Sequence, residues 1–98
     1  MQITWDKENG KLIAAITGKV DSITAPELES TLRANLDGVT EVVLDLKDMT
    51  HISSAGLRAV LKVKKALRRK GKITVRNVND EVQDIFQMTG FTKVVTVE

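Results

Sequence analysis

Ninety-eight residues, 42% of them apolar and 29% charged, suffice for one hydrophobic core and not for two. A net charge of +2 is too small to argue by itself for a nucleic-acid or membrane partner. There is no cysteine, which removes disulfides, thiol nucleophiles and cysteine metal sites and fits a cytoplasmic protein.

Met1-Gln2-Ile3-Thr4-Trp5-Asp6 lacks the basic start and apolar stretch of a signal peptide, and the apolar runs are short, so neither a leader nor a membrane span is expected. Ile3 and Trp5 alternate with polar neighbours, as do Leu12, Ala14 and Ile16, and Asn9-Gly10 between them signals a hairpin of two antiparallel strands. Thr24 followed by Glu27 offers a capping box, Pro26 suits a first helical turn, and Leu28, Leu32 and Leu36 give one apolar face to a helix over 25–36. Val42, Val43, Leu44 and Leu46 form an almost continuous apolar run, expected of a central strand covered on both faces in a partly parallel sheet.

A short loop then leads to Ser53-Ser54, which open a helix. From Ala55 to Lys70 the pattern is helical, with Leu57, Val60, Leu61 and Leu67 toward the sheet and Gly71 as the stop. Lys72 to Arg76 reads as a strand. Asn79 or Asp80 starts a helix with Val82, Ile85 and Phe86 inward, ending at Gly90, and Val94, Val95 and Val97 make a last strand. The order β-β-α-β-α-β-α-β predicts a single α/β domain over 1–98. Its sheet is mixed and mostly parallel, with an N-terminal β-hairpin and packed helices.

A serine at a helix start can cap an orphan backbone N–H at the positive end of the helix dipole, and capping is the plain reading of Ser53 and Ser54. The same place tolerates an added phosphate. Gly-x-Ser-x-Gly is absent, and the sole histidine, His51, has no evident orienting acid, so a serine enzyme is not expected. Arg58, Lys62, Lys65 and Arg69 line one side of the second helix, read as a solvated face or, alternatively, a partner contact. Trp5, Phe86 and Phe91 look core-directed, which leaves no aromatic platform for direct nucleic-acid binding. Asp21-Ser22-Ile23-Thr24 can form a turn; that loop and Lys47 to Ser54 both follow strand C-termini and can share one edge. Asp45 and Asp48 lack metal-site spacing, and neither a metal nor a cofactor is expected.

Gly18-Lys19-Val20-Asp21, Val42-Val43-Leu44-Asp45-Leu46 and Ile52-Ser53-Ser54-Ala55-Gly56-Leu57-Arg58 together resemble the anti-sigma factor antagonists of the STAS domain superfamily. The resemblance spans essentially the whole chain. It implies that Ser54 is the serine phosphorylated by a partner-switching kinase, often itself an anti-sigma factor, that a serine phosphatase resets it, and that Asp21 is an acidic position beside it. Ser53 stands where many members carry Asp, Ala55 where many carry a hydroxyl, and Arg58, suited to contact phosphate, where a small residue is frequent.

The function so implied is a non-enzymatic partner switch. Its contact edge comprises Asp21, Ser22, Thr24, His51, Ile52, Ser53, Ser54, Ala55, Gly56 and Arg58. The alternatives are a constitutive STAS scaffold for a protein or small ligand, with Ser54 only capping its helix, and an enzyme using Ser54. Oligomeric state is not legible in the sequence.

Overall fold

Asn9 and Gly10 take φ of 50° and 79°, the left-handed pair that a tight hairpin needs. They join β1 (Gln2–Glu8) to β2 (Lys11–Val20), which pair antiparallel from Gln2 opposite Thr17 to Glu8 opposite Lys11. This computed structural model describes residues 1–67 and 71–98. The remaining elements are α1 (Ala25–Arg33), β3 (Glu41–Asp45), β4 (Met49–Ile52), α2 (Ser54–Ala66), β5 (Lys72–Arg76), α3 (Asp80–Thr89), a 3-10 turn at Phe91–Lys93 and β6 (Thr96–Val97). The sheet runs β1-β2-β3-β5-β6, with every pair after the hairpin parallel.

β2 is long enough to hold two partners in succession. Its first half pairs with β3, Lys11 opposite Glu41 to Ala15 opposite Asp45, and its last residues pair with β4, ending at Val20 opposite Ile52. The changeover falls at Gly18, whose φ of 83° accompanies a register shift and whose N–H donates to the Asp48 carbonyl at 2.8 Å. The stretch expected as a loop before Ser53 is therefore a strand, with Met49 and Ile52 buried and Thr50 exposed.

All three helices pack on one face of the sheet. Ile16, Leu44 and Val75 from the strands meet Leu28, Val60 and Phe86 from α1, α2 and α3 around one internal void. The expectation that the Val42–Leu46 strand is covered on both faces fails here. On the other face Glu41 stands in register between Lys11 and Lys72, 3.8 Å from each ammonium, and Asp45 lies 4.0 Å from Arg76. Val43 points to that face too, and it is buried because Ile13 and Thr74 flank it in register.

Several boundaries differ from the sequence pattern. α1 ends at Arg33, before Leu36, and its capping box does not form, because the Thr24 hydroxyl turns back to Asp21. α2 ends at Ala66 with Leu67 extended and buried; Arg69 and the expected helix end at Lys70 lie outside the described residues. Trp5 is 48% exposed, not core: β1 is the edge strand and has a partner on one side alone. Val94 and Val95 precede the last strand instead of belonging to it. α3 matches its signals, with the Asn79 carboxamide oxygen accepting from Val82 N–H at 2.8 Å and Gly90 left-handed at its end.

Candidate functional site

Because β2 and β4 are parallel, their C-terminal ends emerge together. The Ser53 N–H donates to the Val20 carbonyl at 2.9 Å, which sets the loop after β2 against the start of α2. The shared edge expected from the sequence exists.

Ser53 is the cap. It is extended, with φ −88° and ψ 174°, and its Oγ accepts from Gly56 N–H at 3.3 Å. This corrects the reading in which Ser54 caps α2: Ser54 is the first helical residue, exposed, and among the described residues its hydroxyl has no hydrogen-bond partner. One serine is thus spent on the backbone and the other is free. Gly56 is needed beneath them, since a Cβ there would stand 2.6 Å from Ile52 Cγ1 and 2.9 Å from Val20 Cγ1. Ile52 and Gly56 are buried and support the edge from below, while Ala55 is half-buried at its surface.

Asp21 organises the neighbouring loop. Its Oδ1 accepts from Ile23 N–H at 3.0 Å and Thr24 N–H at 3.1 Å, and the Thr24 hydroxyl accepts from Asp21 N–H at 3.0 Å. The amides of Thr24 and then Ile23 hold its carboxyl below the usual carboxylate range, against the opposing effect of desolvation. The turn leaves Ser22 exposed and Ile23 85% exposed. In the sequence Ile23 stands only as part of the Asp21–Thr24 turn and not among the contact residues. A β-branched residue between polar neighbours reads as ordinary loop, and its exposure becomes meaningful once the Ser53–Val20 bond sets that loop against the start of α2.

His51 sits on β4 with Nδ1 3.8 Å from Glu81 at the start of α3, a helix that Asn79 ties to β4 by donating a side-chain N–H to the Met49 carbonyl at 2.8 Å. Arg58 borders two grooves. One, of about 330 Å3, runs between α1 and α2 past Ser22, an alanine floor of Ala25, Ala55 and Ala59, and the charged rim Glu29 and Lys62. The other, of about 250 Å3, holds Ser54 with Leu57, Leu61, Thr89 and Phe91. Glu29 joins the helices, 3.0 Å from Arg33 and 3.7 Å from Lys62.

Asp45 and Asp48 lie apart from this edge. Asn77 donates to Asp45 at 3.0 Å and is the main reason its carboxyl is held low, with Lys47 N–H and the Arg76 guanidinium adding to the effect. Among the described residues no three His, Asp or Glu side chains gather as a metal site, and no helix is long and apolar enough to cross a membrane.

A five-strand path with one accessory strand, three helices on a single face and a serine-capped helix opening beside the β2 loop defines a STAS-type domain. The STAS domain model matches residues 2–98. A Bordetella bronchiseptica protein, BtrV, provisionally named an anti-sigma factor antagonist, is 42% identical over 99% of this chain and 85% of its own length. The chain belongs to the STAS domain family, among its anti-sigma factor antagonists. The crystal structure of an anti-sigma factor antagonist from Mycobacterium paratuberculosis shares the fold, with a TM-score of 0.87 at 22% identity over 98% of this chain and 83% of that one. So does the Bacillus cell fate determinant SpoIIAA in its phosphorylated form, with a TM-score of 0.75 at 14% identity over 99% of this chain and 91% of that one.

Proposed function

We propose that this chain is a phosphorylation-controlled partner switch that binds a serine-kinase anti-sigma regulator while Ser54 is unmodified. Binding occupies the regulator and frees its other client. The observation that carries the reading is the division of labour at the start of α2: Ser53 holds the cap, and Ser54 is an exposed hydroxyl whose modification leaves the cap intact. Phosphorylation of SpoIIAA, a protein of the same fold, supports it.

The kinase transfers the γ-phosphoryl group of ATP to Ser54 Oγ. ADP leaves, and the hydroxyl proton passes to a base of the kinase. A serine phosphatase reverses the change with water, returning the hydroxyl and inorganic phosphate. The modification adds about −1.5 to −2 charges to the contact edge. Leaving such a charge desolvated and unpaired in an interface costs several kcal/mol, while each tenfold in affinity is about 1.4 kcal/mol. The fold need not change, because the helix start tolerates negative charge.

In this reading Ser22, Ser54, Arg58 and Ala55 touch the regulator. Asp21, Thr24, Ser53, Ile52 and Gly56 hold them in place, and His51 borders the edge toward α3. The protein acts by binding and not by turnover, in the cytoplasm where its ATP-dependent partner works, and without contacting nucleic acid.

Purified kinase regulator with ATP, mass spectrometry and calorimetry test the assignment. Ser54→Ala is expected to lose phosphorylation and keep regulator binding, Ser53→Ala to keep phosphorylation, and Ser54→Asp to bind more weakly than Ser54→Ala. Modification retained in Ser54→Ala and lost in Ser53→Ala moves the site to Ser53.

A further inference from the structure

We infer that Arg58 is the internal counter-ion for phosphate on Ser54, drawn out of the α1–α2 groove when that phosphate is added. The inference rests on Ser54 being the modified residue. Ser54 and Arg58 stand four residues apart on α2, about 5–6 Å between Cβ atoms, on one side of the helix. Side chains on a helix lean toward its N-terminus, so the long arm of Arg58 extends over the turn that carries Ser54 rather than away from it.

The surroundings favour this pair. Ser54 and Arg58 line the same groove, in which Arg58 is the one ionisable residue among the described lining residues, and Leu57, Leu61 and Phe91 supply walls that keep part of the solvent away. Arg58 is also uncommitted. Among the described residues it has no carboxylate partner, and Glu29 across the other groove is already shared by Arg33 and Lys62. A guanidinium matches a phosphate bidentately, which an ammonium does not.

The consequence is a second route by which modification weakens partner binding. In the unmodified protein Arg58 borders the α1–α2 groove and is available to a partner. In the phosphorylated protein it is held on the Ser54 side, so the partner meets a new negative charge and loses a positive one.

The first measurement needs no partner. Phosphoserine is incorporated genetically at position 54, and the second phosphate ionisation is followed by phosphorus NMR. Because a nearby cation favours the dianion, the phosphate pKa is expected about 0.3 unit or more below that of the Arg58→Gln protein, with Arg58→Lys between them. Lys62→Gln, whose ammonium belongs to Glu29, is expected to titrate like the parent. Circular dichroism confirms that each variant is folded. Identical phosphate titrations in the parent and Arg58→Gln proteins overturn the inference. Regulator binding measured on the same phosphorylated proteins separates the two levels. Identical titrations with lost binding leave the switch without the clamp, and a shifted titration with undiminished binding leaves the clamp without the switch.

Discussion

The Ser53 amide donates to the Val20 carbonyl over 2.9 Å, and this one bond sets the start of α2 beside the end of β2. It extends the β2–β4 pairing one residue beyond Val20 opposite Ile52. The position of Ser54 is therefore a property of the sheet. Residues that keep β4 against β2 control the site without touching a partner.

Gly56 is the sharpest case. Its missing Cβ lets α2 approach both strands, and a methyl group there would meet Ile52 Cγ1 at 2.6 Å and Val20 Cγ1 at 2.9 Å. Gly56→Ala gains helix propensity of up to about 1 kcal/mol, yet overpacking costs about 1–3 kcal/mol. A net loss of stability is expected in urea unfolding. An unchanged or raised midpoint would show that α2 can shift outward freely.

Ser53→Ala removes the Oγ acceptor for Gly56 N–H and is expected to cost about 0.5–2 kcal/mol. For a domain of this size a loss of 1 kcal/mol lowers Tm by roughly 4–8 °C. Ser54→Ala removes no cap and is expected to melt close to the parent. Thermal unfolding of the two variants side by side checks the division between them, and equal Tm losses contradict it.

Much of this edge was legible in the sequence. Asn9-Gly10, Asn79 and Gly90 act as their residue types dictate, and the loop after β2 does meet the Ser53 end of the Lys47–Ser54 stretch. β4 was not legible because four residues with Thr50 and His51 in the middle carry too short an alternation; the strand exists because the bulge at Gly18 lets β2 accept a second partner. Thr24 and Glu27 mimic a capping box, and Asp21, three residues earlier, competes for the Thr24 hydroxyl and amide. Which of two adjacent serines caps the helix depends on where the first helical turn begins, which the Ser53–Val20 bond decides.

Asp21 makes stability depend on pH in a defined direction. Its carboxyl is held low by the Thr24 and Ile23 amides, so its contribution is complete above its unfolded value of about 3.9 and is lost as pH falls through the lower folded value. Asp45 shifts the same way, so the parent alone does not isolate Asp21. The stability gap between parent and Asp21→Asn is expected to be level from about pH 7 to pH 5 and to shrink below about pH 4. Denaturant unfolding at several pH values measures it, and a gap that widens in acid refutes the assigned sign.

Ile23 is where sequence and structure part most usefully. It is 85% exposed, its amide is fixed by Asp21 Oδ1 at 3.0 Å, and the turn sits beside the helix start that carries Ser54. An apolar side chain in water contributes little to folding, and surface changes usually stay within about 0.5 kcal/mol, so Ile23→Ser is expected to unfold like the parent. Binding is another matter, because a few apolar anchors inside a polar rim carry most of an interface's energy. Ile23→Ser is expected to lower affinity for the kinase regulator about tenfold or more, roughly 1.4 kcal/mol. Trp5→Thr, at a 48% exposed position on the far edge strand, serves as the control and is expected to bind like the parent. Calorimetry on the three proteins decides the matter: equal affinities for parent and Ile23→Ser remove Ile23 from the interface, and a loss in Trp5→Thr alone moves the interface to β1.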